Sequence, residues 1–207
     1  MTRQFLTVLF FAIVYAVIRY AGFANVSPVH IPVYLLNKAL SMTAAYSLLM
    51  ASLGLMRAQR EVFDFWRKAC MNLVFIHVLL SLAILSKGYF PKFFAGDNMM
   101  SLIGELTLLC GALGVYCFWR LLTFETTPGV RRTLMASACA LVSGHLFIMG
   151  YDGWLQVQKW NGGLPPITLL SFLVVLPSFA LFLRVSDKKL SFFSDSGRVM
   201  ASKVDAL

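Results

Sequence analysis

Charge is scarce in this sequence. Only 13% of its 207 residues are Asp, Glu, Lys or Arg, and only nine are acidic. An ordinary soluble domain carries about 25% charged residues. A chain this poor in charge has too little polar surface to cover a water-exposed globule. The cysteines form no CxxC pair, and all four (Cys70, Cys110, Cys117, Cys139) lie inside apolar runs. They read first as small buried thiols, with disulfides or a metal cluster as the alternative. There is no strong internal repeat, no low-complexity segment, and no serine-nucleophile elbow of the kind a hydrolase needs. Acids are missing from the middle of every long apolar run and no inverted repeat is visible, which argues against a transporter or channel. Pro177 is the one expected kink.

What is abundant is hydrophobicity. It makes up 59% of the chain, and the mean hydropathy is +0.76. About six spans of roughly 20 residues use most of the length, leaving no room for a built-in Rossmann, flavin or nucleotide domain. The runs predict six helices at 5–22, 33–56, 67–86, 99–123, 132–150 and 166–184. A lipid-facing backbone must satisfy its own hydrogen bonds, which favours helices. The runs are too long and too evenly apolar for barrel strands. The expected fold is therefore an all-α bundle of six transmembrane helices over residues 1–186, followed by a short polar cytoplasmic tail, 187–207. The first run resembles a signal peptide, but Arg19-Tyr20 interrupts it before a clean cleavage site, so it is expected to remain a span.

Most of the positive charge lies on one side. Arg3, the loops after the second and fourth runs, and the tail hold 13 of the 18 Lys and Arg residues, with Arg19, Lys38, Lys87, Lys92 and Lys159 on the other side. The positive-inside rule then predicts both termini in the cytoplasm, in a bacterial inner membrane. It accounts for the net charge of +9 by topology and anionic lipid rather than by nucleic acid. Tyr89, Phe90, Trp154 and Trp160 suit an aromatic belt at the opposite interface.

Ionisable side chains inside lipid are candidate functional groups, and two of the three histidines qualify. At 1.5 Å per residue, His77 is about 14 Å past Lys68 and His145 about 20 Å past Arg132. The two rings should share a depth to within roughly one helical turn. Two facing imidazoles can clamp one b-type haem through its iron; the alternative is a pair of unrelated, hydrogen-bonded core histidines. Ala136, Ala140 and Gly144 offer a small face for a macrocycle or for close helix packing. Lys38 and Arg19 stand at the end of the bundle opposite the basic loops. They suit anionic haem propionates or ordinary snorkelling. Glu105 pairs with Lys38 or reaches water. His30, between Pro28 and Pro32, is expected to be a solvated loop residue.

Three segments resemble the ferric reductase-like transmembrane family, which includes six-helix metalloreductases and the haem-binding subunit of the bacterial methionine sulfoxide reductase system. They are Asn37-Lys-Ala-Leu-Ser-Met-Thr-Ala-Ala45, Trp66-Arg-Lys68 leading to His77-Val-Leu-Leu-Ser81, and Arg131-Arg132 leading to His145. The resemblance covers roughly residues 33–185. It implies that His77 and His145 are the axial ligands of one haem b. It also implies a single-haem electron-transfer subunit, working with a quinone or with partner subunits in the membrane. Many members carry a further His about a dozen residues earlier on the fifth helix, where this chain has Arg132, and the third helix has one His. A second haem is therefore not implied. The competing expectation is a haem-free scaffold or accessory subunit of a larger respiratory or pigment complex.

Overall fold

The computed structural model describes residues 1–24, 29–96, 99–186 and 189–190. Its fold is helical, and six helices are long and apolar enough to cross a membrane. The expected tail lies outside the described residues except for Lys189 and Leu190.

Helix α1, Thr2–Ala16, continues directly into a π-helical turn, Val17–Gly22. Helix α2 is Ile31–Met56, with Pro32 in its first turn where a missing N–H does no harm. Helix α3, Arg60–Ala83, starts seven residues before the expected Arg67. The charged turn joins the helix because Asp64 lies between Arg60 (3.5 Å) and Arg67 (3.4 Å) at helical spacings, while Phe63 and Trp66 turn inward and are buried. Helix α4 is Leu102–Thr123; the Ser101 hydroxyl accepts from the Gly104 N–H at 3.2 Å and donates to the Lys92 carbonyl. Helix α5, Pro128–Leu155, is longer at both ends than hydropathy implied. Thr127 caps its start through the Val130 N–H and Pro128 occupies the first turn. At its far end Trp154 donates from Nε1 to Thr168 Oγ1 at 2.9 Å. Helix α6, Ile167–Arg184, contains Pro177 without ending there.

Helix α2 is central. It packs against α1, α3 and α6, while α5 packs against α4 and α6. Composition explains why. Ala39, Ala44, Ala45, Ser47, Ala51, Ser52 and Gly54 of α2 are all buried, and small side chains let membrane helices approach closely. The hydroxyls of Thr43, Ser47 and Ser52 bond to carbonyls of their own helix, so burying them leaves no unmet donor at these three positions. Helix α3 makes its close backbone packing with α2 and has no extensive backbone contact with α4 or α5 among the described residues.

The principal core, built around Leu48, Leu55, Trp66, Cys139, Val175 and Phe182, lies towards the end that carries the basic loops. Three of the cysteines are buried and Cys110 is partly so; all four are free thiols. Phe10, Phe11, Phe75, Leu82, Leu109 and Leu173 project outward. In water they would be a liability; against acyl chains they are the expected surface of a membrane-spanning bundle.

Candidate functional site

The candidate site lies nearer the end of the bundle opposite the basic loops. His77 is six residues from the end of α3, and Asn37 is six residues into α2. The His77 ring turns towards α2, where Nδ1 meets Asn37 Oδ1 at 2.5 Å. Asn37 is 1% exposed. Its Nδ2 donates to Ser81 Oγ at 3.1 Å, and the Ser81 hydroxyl is 3.3 Å from Asn37 Oδ1. Ser81 is one turn beyond His77 on the same helix, so a single buried amide joins two rungs of α3 to α2.

On the other side, His145 of α5 lies across α4. Its Nδ1 is 2.9 Å from the Thr107 carbonyl. The ring rests on Gly111: a Cβ there would lie 3.1 Å from His145 Nδ1. A glycine at that point of α4 gives the imidazole its room. Gly144 and Gly114 serve the same α4–α5 seam, where their added Cβ atoms would sit 3.6 Å from Cys110 Sγ and 3.4 Å from Val142.

The two arrangements share a feature that the sequence did not display. The partner of each Nδ1 is a carbonyl-type oxygen, which only accepts, so each ring carries its proton on Nδ1. That tautomer follows from the hydrogen-bond network. Each Nε2 then holds a lone pair, and neither Nε2 has a hydrogen-bond partner among the described residues. His77, His145 and Lys38 lie within electrostatic reach of one another. His77 is held by α2 and His145 by α4.

The other expected residues go elsewhere or serve differently. The Lys38 ammonium stands over the rings of Tyr34 and Phe90, 5.1 and 5.8 Å from their centroids. Arg19 is not at the histidine pair through any described hydrogen bond. Its guanidinium donates to the carbonyls of Asn161 and Leu164 and ties α1 to the chain entering α6, beside Tyr15, whose hydroxyl donates to Pro165. Glu105 is exposed in the first turn of α4. His30 stacks on Tyr89 with centroids 4.3 Å apart. The small face Ala136, Ala140, Gly144 divides, with Ala136 buried, Ala140 exposed and Gly144 against α4.

Asn37, Ser81, Thr107 and Gly111 are the residues that sequence reasoning missed. Asn37 carried a signal, as a side-chain amide within a lipid span. The Thr107 carbonyl carried none, because every residue has one.

These residues fit a bis-histidine haem in the chemistry of their donors. Metal-ligating histidines characteristically donate the second ring N–H to an oxygen acceptor, which fixes tautomer and orientation. Two imidazoles suit a metal whose remaining positions are filled by a macrocycle; among the described residues no three His, Cys, Asp or Glu side chains group as a protein-only metal site would require. No family model, curated protein or solved structure matches the chain.

Proposed function

We propose that the protein is a single-haem b-type electron-transfer subunit of a membrane oxidoreductase, with His77 and His145 as axial ligands. The observation that carries this reading is the matched pair of Nδ1 hydrogen bonds, which leaves two Nε2 lone pairs on different helix pairs unused. A bound haem would supply reversible one-electron chemistry at its iron. The chain supplies the rest. Asn37 and the Thr107 carbonyl hold the two rings, Gly111 gives clearance, and Lys38 provides a positive charge nearby. Arg19, assigned to the propionates on sequence grounds, supports the site from a distance by fixing the α1–α6 connection. In this reading a quinone or a partner protein exchanges electrons with the haem. The charge distribution supports cytoplasmic termini in a bacterial inner membrane.

The test is a visible spectrum of protein expressed with haem supplied, oxidised and then dithionite-reduced. The expected result is a Soret band with the sharp reduced bands of a six-coordinate haem, lost in both His77→Ala and His145→Ala. Absence of the band, or its survival in both variants, would overturn the assignment. A haem-free scaffold subunit is the second reading. It is favoured by the fact that each histidine already has one hydrogen bond and so is tolerated in a core without metal. A colourless protein purified in a stable multisubunit assembly would support it.

A further inference from the structure

At the opposite end from the histidines, the loose junction of α3 with the α4–α5 pair opens into a cavity of about 390 Å³. Its deep walls are apolar, formed by Leu48, Met71, Phe118, Met135 and Phe182. Its rim includes Leu122 and Phe124, both exposed on the outer surface of the bundle. Arg67 and Arg131 face the same space, along with Asp64 and Glu125.

With Arg60 beside the lining, three guanidiniums (Arg60, Arg67, Arg131) stand against two carboxylates, Asp64 and Glu125. Asp64 is shared between Arg60 and Arg67, so one carboxylate serves two guanidiniums. The Arg67 Nε is sealed from solvent yet has no hydrogen-bond partner among the described residues. An orphaned donor on a charged group is destabilising unless a ligand satisfies it. Arg131 is within electrostatic reach of both Arg67 and Glu125, so two guanidiniums line the mouth with Glu125 beside them. A compact acceptor-rich anion answers that arrangement, since arginine forks match phosphate oxygens. A soluble anion would fill the mouth and leave the greasy interior empty; an anion carrying a hydrocarbon chain fills both.

We propose that this cleft seats one anionic phospholipid, its phosphate held by Arg67 and Arg131 and one acyl chain lying along Phe118, Met135 and Phe182. The seat is independent of any haem. It lies at the basic end of the bundle, where anionic headgroups accumulate if that end is cytoplasmic.

Native mass spectrometry of the full chain in detergent tests it, using phosphatidylglycerol, phosphatidylcholine and phosphatidylethanolamine of identical acyl chains, and soluble glycerol phosphate as competitor. One phosphatidylglycerol should be retained in preference to the other two lipids. Arg131→Gln should reduce that preference about fivefold, the effect of one charge near an anionic surface. Arg67→Gln should do the same, Arg131→Lys should restore part of it, and Arg184→Gln, exposed at the end of α6, should leave it unchanged. Equal retention of phosphatidylcholine, stronger retention of phosphatidylethanolamine, displacement by glycerol phosphate alone, or an unchanged preference in folded Arg131→Gln would each overturn the proposal.

Discussion

Asn37 does more for the site than its size suggests. A buried amide between helices in lipid has few ways to be satisfied, and here its oxygen and one N–H are spent locally on His77 and Ser81. Interhelical hydrogen bonds in membranes contribute about 0.6–2 kcal/mol, so the amide stabilises the α2–α3 pair and at the same time fixes the His77 tautomer. Asn37→Leu should leave the Nδ1–H without an acceptor and destabilise the fold by about 1–3 kcal/mol. If His77 is a ligand, haem affinity should also fall about 10- to 100-fold, as for other outer partners of metal-binding histidines. Haem titration beside a thermal unfolding curve separates the effects. A lower melting temperature with unchanged affinity would reduce Asn37 to a packing role. The histidines themselves were legible in the sequence because an imidazole in an apolar run is an anomaly. Asn37 was equally anomalous, but it entered the sequence reading only as the first residue of a segment that resembles a known family. Arg19 was ambiguous for a related reason: its position at a helix end is compatible with snorkelling, ligand binding or capping a distant loop, and its bonds to the Asn161 and Leu164 carbonyls come from residues far away in sequence.

The helices show which local signals translate into boundaries. All six spans were visible, because a long apolar run in lipid has no other way to close its backbone hydrogen bonds. The starts of α3 and α5 were not, because hydropathy stops at the first charges whereas a helix does not. At α3 the Arg60–Asp64–Arg67 spacing carries the helix through its polar turn; at α5 the Thr127-Pro128 pair marks the start. The turn between α2 and α3 is equally specific. The Gln59 N–H returns to the Gly54 carbonyl at 2.8 Å, the Ala58 N–H to Leu55, and Ala58 has φ of 55°. This is the left-handed closure that glycine normally provides. Ala58→Gly should remove that strain, offset in part by greater freedom of the unfolded chain. A net gain of about 0.5–1 kcal/mol in detergent unfolding is expected, and a loss would show that the Ala58 methyl is needed. Gly54 is the opposite case. A Cβ there would sit 2.8 Å from the Phe63 backbone nitrogen, and backbone has nowhere to give. Gly54→Ala should force α2 and α3 apart at the turn and destabilise the protein by about 1–3 kcal/mol. An unchanged melting temperature would mean that the turn is looser than this geometry.

At the scale of the whole molecule, the adjacency of helices was the least legible property. Lipid is as apolar as leucine, so the outward and inward faces of these spans differ little in hydropathy, and partners are chosen by small residues and polar bonds. That choice yields a ladder in which α3, α2, α6, α5 and α4 follow one another by contact, with α3 and α4 at its two ends. His77 and His145 are each tied to their own side of this ladder, to Asn37 of α2 and the Thr107 carbonyl of α4. Their free nitrogens therefore belong to opposite sides of this ladder. The opposite end of the same junction holds Arg67 and Arg131. The two sites thus stand near opposite faces of the membrane, and which is inside depends on orientation alone. Gln59 at the basic end and Gly88 at the other are suitable reporters, being exposed, while the native cysteines are buried or half-buried. In intact bacterial cells a membrane-impermeant maleimide should label Gly88→Cys readily and Gln59→Cys only after permeabilisation. Labelling of Gln59→Cys in intact cells would invert the topology, and the histidine pair would then face the cytoplasmic half of the bilayer, within reach of soluble electron donors.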